Sequence, residues 1–395
     1  MRASLDFDGV LTHHGELDLR GINPHVFFRS PRSVAAAGPR PGVRQLAALL
    51  DCFAEVVILT ARPIDHHPAI KQWLSEYVPE LEECVVFSSG GRSKAVVAEE
   101  LAISLHIDDD PMAASDSAPD DPRIVLWRRE DPARIMAEVV DRLNRLMENG
   151  TATKVVDAAR IRAVGVSSAT PVFHVLRRSR QNLKIRLFDS TGRAALVARF
   201  HREAPHGDGG VHVPDIVSST PLTMTTPWID GDMVRDVDAA ERKSIIPRAA
   251  GFLAALHALG PSDSGSSRLI SCAMDAYNLC RTPDGMLHLI DVGDCTIGTR
   301  WLDVMWTEQL LCVSDDEREH LVNCYINASG HRPTATEAQD AAAEYYGYLH
   351  SILMHSKRLH TGSTSAWRRC DEIARRRRTP VTASALFSRA QGLLP

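Results

Sequence analysis

The sequence predicts two domains in series: an α/β domain on a parallel sheet, followed by an α+β domain. Three observations carry this. The chain has 395 residues, and at roughly 100–200 residues per domain it predicts two or three domains, each with its own core. Residues 1–145 alternate short apolar runs with helix-like stretches, the pattern of βαβ units around a parallel sheet. From about residue 155 strand patterns cluster first and helical patterns follow from Ala239 onward, which is the α+β order. The polar segment Glu148–Lys154 lies between the two styles, so the expected domains are 1–148 and 155–395.

In the first domain the strand candidates are Ser4–Phe7, Glu55–Leu59, Cys84–Phe87, Leu105–Ile107 and Ile124–Leu126. Gly42–Leu50, Ile64–Tyr77, Lys94–Leu101 and Pro132–Met147 read as the helices between and after them. In the second domain Val172–Leu176, Leu183–Phe188, Ala194–Phe200 and Pro221–Thr226 read as strands. Stretches rich in Gly, Ser, Pro and Asp at 112–121, 204–214 and 261–267 read as loops.

Composition excludes several classes. The 45 Lys and Arg stand against 50 Asp and Glu, a formal net charge of −5, whereas nucleic-acid coats and membrane-surface proteins need a dominant basic field. Hydrophobic residues make up 44% of the chain, so wholesale disorder is excluded. The eight Cys lack metal-ligand spacing, and the start MRASLDFDGVL lacks a signal-peptide apolar region. The expectation is a cytoplasmic protein with neither a membrane nor a nucleic-acid partner. Lys occurs only at 71, 94, 154, 184, 243 and 357, the remaining basic residues being Arg. A retained Lys is therefore informative, because the two cations are not interchangeable.

Four features fall at the ends of successive strand candidates. Asp6 and Asp8 follow the first, Thr60 closes VVILT, Lys94 opens a helix after SSGG, and Asp108-Asp109-Asp110 ends LHI. The carboxyl ends of parallel strands form one rim, where ligands bind. Clustered carboxylates need a hard cation, and all-oxygen ligation suits Mg²⁺. A lysine and a hydroxyl beside it fit a phosphoryl group. Taken singly, an Asp-x-Asp pair is also an ordinary loop feature, and it is the order that is specific. These motifs resemble the haloacid dehalogenase (HAD) superfamily over about residues 1–145, on DFDGVL, VVILTARP, Lys94 and HIDDDP.

The resemblance implies a Rossmann-like fold and a Mg²⁺-dependent phosphomonoester hydrolase. Asp6 would be the nucleophile that forms an aspartyl-phosphate. Asp8 would act as general acid and base, and Thr60 and Lys94 would hold the phosphoryl oxygens. Asp6, Asp8, Asp108 and Asp109 would form the metal site, with Asp110 flanking it. Val10 replaces the commoner Thr. The 12–40 segment is too short for a large cap, so the site is expected to be open, for a bulky substrate, or roofed by the second domain.

The second half carries a different order: the strand-to-turn segment PLTMTTPWIDG, LAALHAL, then DAYNL, the hairpin signal Pro283-Asp284-Gly285, and LIDVGDCTIGTRWLDV. These resemble the aminoglycoside phosphotransferase and choline kinase group of protein-kinase-like folds, over about residues 160–395. The resemblance implies a bilobal domain with an N-lobe at about 155–230 and a C-lobe at about 231–395. Asn278 and Asp291 would bind Mg²⁺ with ATP or another nucleoside triphosphate, Trp228 would sit in the nucleotide-binding hinge, and Asp303 would be a structural acid. Counting back from Asn278, Ser271 and Ala273 occupy the positions expected for His and the catalytic Asp. Asp275 is then the remaining candidate base. Arg199 stands where the nucleotide lysine is expected if AALVARF is a strand, with Glu203 as its available acid. The functional expectation is a phosphomonoesterase fused to a kinase-like domain that phosphorylates, or only binds, a small hydroxyl or amino compound. The alternatives are a regulatory kinase-like half and a small-molecule kinase whose HAD half is structural. His13-His14, His66-His67 and the arginine run 375–378 with Arg368-Arg369 carry no role in this reading.

Overall fold

The computed structural model describes residues 1–13, 30–110, 123–127, 131–164, 170–205, 210–259, 268–343 and 345. His14, the 368–378 arginines and helical patterns beyond 345 lie outside them. The chain divides into two compact units, Met1–Thr191 with Ser218–Thr225, and Gly192–Val217 with Thr226–Pro395. The division does not follow 148–155, because strands beyond 155 pack on the first unit's helices.

In the first unit β1 (Arg2–Leu5), β4 (Glu55–Thr60), β5 (Val86–Ser88), β6 (Leu105–Asp108) and β7 (Ile124–Leu126) form a parallel sheet ordered β5-β4-β1-β6-β7. β1 is central, and Ala3, Ser4 and Leu5 are buried, as expected of a parallel strand covered on both faces. β1 leads into a wide turn, Phe7–Leu11, and β2 (Thr12–His13) pairs with β3 (Gly38–Pro39), beyond α1 (Arg32–Ala35). α2 (Val43–Phe53), α3 (His67–Tyr77), α4 (Lys94–Glu100) and α5 (Pro132–Glu148) complete the layers. The Ile64–Tyr77 stretch resolves into a short turn, Ile64–His66, followed by α3.

α2 begins after Gly42, whose φ of 78° is in the left-handed region. A Cβ there would overlap Pro132 at the start of α5, so close helix packing also requires glycine. Asp131 caps α5 through its carboxylate and the Ala133 N–H at 2.7 Å, with Pro132 at the first helical position. On one face of the sheet Val57, Leu59, Val97, Ala98 and Ile103 form a core cluster.

β8 (Ala158–Ala163), β9 (Val172–Arg177), β10 (Leu183–Leu187), β12 (Ser218–Ser219) and β13 (Thr223–Pro227) form a second sheet, ordered β12-β13-β10-β9-β8. α5 packs on β8 and α2 on β10, and Asn144 of α5 exchanges two hydrogen bonds with the Ile161 backbone.

One element differs in kind from the sequence expectation. Ala194–Phe200 is helical, within α6 (Thr191–Glu203). Ala194, Val197, Phe200 and His201 are its buried residues, so burial follows the helical period and overrides the strand-like run of apolar residues. Arg199 is therefore on a helix, where it pairs with Glu203 at 2.9 Å one turn on. Lys184, on β10 opposite His174 of β9, is the lysine that lies on a strand of this sheet.

In the second unit α7 (Ala239–Ala258), α8 (Arg300–Leu310) and α9 (Asp315–Ser329) pack together. Ser314 and Glu317 form a reciprocal capping box on α9, and Gly330 ends it at φ 68°. β11 (Val211–His212), β17 (Leu287–Leu289), β16 (Leu279–Arg281) and β14 (Asp232–Met233) form a small sheet in that order, and β15 (Arg268–Ile270) pairs with β18 (Thr296–Gly298). Among the described residues no helix is long and apolar enough to cross a membrane.

Candidate functional site

The parallel sheet delivers three side chains to one point because adjacent strands end at the same level. Asp6 follows β1, Asp108 ends β6, and Asp109 comes next in the chain. Oxygens of these three carboxylates lie within 4.8 Å of one another. Asp6 is buried; one oxygen accepts from the Phe7 N–H at 2.8 Å, and the other pairs with Lys94 Nζ at 2.7 Å. Lys94, at the start of α4, also reaches Asp108 Oδ2 at 3.0 Å. Asp108 Oδ2 meets His106 Nε2 at 2.9 Å, and His106 Nδ1 meets Ser4 Oγ at 2.8 Å. The chain Ser4–His106–Asp108–Lys94–Asp6 is thus continuous.

The charges follow from this packing. Burial pushes the Asp6 carboxyl well above its ordinary range against the pull of Lys94, and Asp108 and Asp8 add to the rise. Asp109 is raised by burial and by Asp108. Asp108 goes the other way: burial would raise it, but the His106 hydrogen bond and Lys94 hold it down to about 2. Burial would lower the Lys94 ammonium, yet Asp6 and Asp108 raise it. Three carboxylates with one ammonium form an oxygen-only donor set with excess negative charge, and such a set fits Mg²⁺.

The wide turn after β1 brings the remaining residues in. Asp8 is extended at φ −80° and ψ 129°, and Gly9 is left-handed at φ 80°. A Cβ on Gly9 would overlap the Asp109 carboxylate, so the glycine is needed for space as well as for φ. Thr60, fully buried at the end of β4, accepts the Arg62 N–H at 3.1 Å through its hydroxyl. Asp8 meets Arg62, whose Nε lies 2.8 Å from Oδ2 and whose Nη2 lies 2.7 Å from Oδ1. The sequence reading did not single out Arg62; its signal was an Arg two residues beyond the strand-end Thr. Arg40 likewise went unremarked. Its Nη1 donates to the Gly9 and Trp127 carbonyls, and its guanidinium lies 4.3 Å from the Trp127 ring centroid.

The 271–291 segment has a different character. Asp275 is fully buried. Its Oδ1 accepts from the N–H groups of Tyr277 at 2.8 Å and Asn278 at 3.0 Å, and its Oδ2 accepts from Asn278 Nδ2 at 3.2 Å. The Asn278 carboxamide also donates to the Ala273 carbonyl at 3.1 Å. The β16–β17 hairpin joins Asn278 to Asp291's neighbour, because the Ile290 N–H donates to the Asn278 carbonyl at 2.8 Å. Asp291 itself accepts from the Gly293 N–H at 2.9 Å. Asp303, fully buried on α8, accepts from the Ser271 N–H and hydroxyl, both at 2.7 Å, and from the Cys272 N–H at 2.9 Å. Its other contact is His257 Nε2 at 3.2 Å. Cys272 sits at φ 40°, a left-handed conformation held at that hydrogen bond. Trp228 Nε1 donates to Asp230 at 3.0 Å.

No known family profile matches the chain, and no curated protein matches it. Solved structures do. A macrolide 2′-phosphotransferase from Brachybacterium faecium is 17% identical, covering 60% of this chain and 97% of its own, at a TM-score of 0.40. A choline/ethanolamine kinase family protein from Mesorhizobium loti is 14% identical over 60% and 93%, at a TM-score of 0.40. The choline kinase LicA from Streptococcus pneumoniae is 8% identical over 61% and 98%, at a TM-score of 0.44.

Proposed function

We propose that the site around Asp6 hydrolyses a phosphomonoester of a small molecule with Mg²⁺. The observation that carries this is the convergence of Asp6, Asp108 and Asp109 on one point beside the Lys94 ammonium. In this reading the Asp6 carboxylate attacks phosphorus, the ester P–O bond breaks, and an aspartyl-phosphate forms. Asp8 gives its proton to the departing oxygen. It then takes one from the water that attacks phosphorus, releasing inorganic phosphate and freeing Asp6. Lys94, and Thr60 from the end of β4, would meet the phosphoryl oxygens. Asp6, Asp108 and Asp109 would hold the metal, with Asp8 at its edge. When bound, the cation neutralises these carboxylates and stabilises charge on the transferring group.

The test is Mg²⁺-dependent phosphate release from p-nitrophenyl phosphate. The expected result is activity in the wild type and a loss of about 10³-fold or more in Asp6→Asn. An unchanged rate in the variant would overturn the assignment.

For the remainder we infer a bilobal kinase-like domain, 155–395, that binds ATP or a related nucleotide without transferring phosphate. Asn278 and Asp291 would hold the nucleotide's metal, and Trp228 would lie in the hinge. The observation favouring binding without transfer is Asp275: it is buried and committed to its own turn, and Ala273 offers no replacement. ATP should raise Tm in the wild type and not in Asp291→Asn; absence of any ATP effect would remove the nucleotide role. Phosphorylation of a hydroxyl or amino acceptor by the full chain would favour the small-molecule kinase alternative.

A further inference from the structure

We propose that Arg62 is the positioning residue for Asp8, and that it governs protonation of the leaving group rather than binding of the phosphoryl group. This rests on the phosphatase reading above and adds a residue to it. Asp8 lies in an extended stretch of the wide turn, immediately before a left-handed glycine, and is about a third exposed. A carboxylate there samples several rotamers unless something fixes it. Arg62 fixes it from two directions. Its Nε and Nη2 form a fork on the two Asp8 oxygens, at 2.8 and 2.7 Å, the bidentate geometry that sets orientation as well as charge.

The fork is itself immobilised. Arg62 is 4% exposed, and its remaining arm, Nη1, donates to Ser33 Oγ at 2.6 Å and meets His66 Nδ1 at 3.4 Å. Its backbone is held as well: the N–H donates to Thr60 and the carbonyl accepts from Ser88 Oγ at 2.5 Å. The guanidinium carbon lies 5.6 Å from the Phe7 ring centroid. All three terminal arms thus have partners that face Asp8 or the surrounding core, while Lys94 lies against Asp6 and Asp108. The division of labour follows. Lys94 serves the transferring phosphoryl group, and Arg62 serves the acid that receives or supplies the proton.

In the step affected, the ester oxygen leaves phosphorus as the Asp6 oxygen arrives, and the Asp8 proton moves to that leaving oxygen. A nitrophenolate leaves readily without a proton, whereas an alkoxide does not. With enzyme in excess, full-length Arg62→Ala should therefore release glycerol from an alkyl phosphate such as glycerol 2-phosphate about 10²-fold more slowly in a single turnover, within the range of general acid catalysis. Single-turnover release of nitrophenolate from p-nitrophenyl phosphate should slow by about threefold or less, whereas steady-state turnover falls on both substrates because hydrolysis of the aspartyl-phosphate also uses Asp8. In single turnovers Asp8→Asn should show the same substrate dependence, and the double variant should lose no more than Asp8→Asn alone. Arg62→Lys, which keeps the charge but not the fork, should resemble Arg62→Ala on the alkyl phosphate.

Equal slowing of single-turnover release on both substrates, or a weakening of substrate binding that accounts for it, would overturn the proposal and make Arg62 a phosphoryl contact. Single-turnover release of nitrophenolate reports that the variant is folded. If Arg62→Ala is inactive on both, Arg62→Lys decides by the same ratio. Asp6→Asn run alongside separates the two readings: its retained activity would sink the phosphatase, whereas its loss with a substrate-independent Arg62 effect would sink only the positioning role.

Discussion

The two carboxylate-rich regions of this chain differ in whether a lysine ammonium is shared between their carboxylates. At the edge of the parallel sheet Asp6 and Asp108 share the Lys94 ammonium, and Asp108 adds a histidine. Side-chain cations can be rearranged or joined by an incoming metal and phosphate. In the 271–303 region Asp275 and Asp303 each accept two backbone N–H groups, beside Asn278 Nδ2 on the first and the Ser271 hydroxyl and His257 on the second, and the main-chain donors cannot be displaced without opening a loop. Asp6 and Asp108 each accept a backbone N–H as well, so what separates the regions is the exchangeable ammonium on a second oxygen, which leaves a carboxylate available to an incoming metal or phosphate.

Three experiments would break or sharpen this contrast. The largest effect is expected from Gly9→Ala. The added Cβ overlaps Asp109 and strains a left-handed residue, so phosphate release should fall by about 10²-fold at saturating substrate. A wild-type rate would mean that Asp109 is not needed where it stands.

Asp303→Asn should act on stability instead. It puts an amide against donors at 2.7–2.9 Å in a fully buried site, at a cost on the order of 3 kcal/mol. Tm by calorimetry should fall by several degrees, with phosphate release at 20 °C little changed. Loss of phosphate release without loss of Tm would erase the distinction between the regions.

The smallest effect concerns pH. Asp108 is depressed from 3.8 to about 2 in the fold, so its contribution is present above pH 4 and lost as pH falls towards 2. That amounts to about 2 kcal/mol at one pKa unit per 1.36 kcal/mol. Denaturant unfolding of Asp108→Asn should therefore show a shallower loss of stability between pH 4 and 2 than the wild type. Parallel curves would mean that Asp108 is not held by His106 and Lys94.

Much of the first site was legible in advance because strand ends in a parallel sheet share a rim. Asp6, Thr60, Lys94 and Asp108 could be placed by counting strands alone. Arg62 was not legible, since nothing in ARP indicates that its side chain turns back onto Asp8. The α6 error had a local cause: AALVARF suits either period, and only which residues meet the core decides between them. The partners of Asp275 were not legible for a related reason, because a sequence shows that an acid is near Asn278 but not that it caps its own turn.

By itself, then, the sequence determined the α/β-then-α+β order, the parallel strand sequence and the identity of the acids and lysine at the sheet rim, since these follow from periodicity and chain order. Tertiary structure alone decided which partners each carboxylate has, that Arg62 grips Asp8, and that Arg199 lies on a helix. The longest-range of these contacts join segments far apart in the chain, 54 residues for Arg62 and Asp8 and 102 for Ser4 and His106, and no local pattern encodes such contacts.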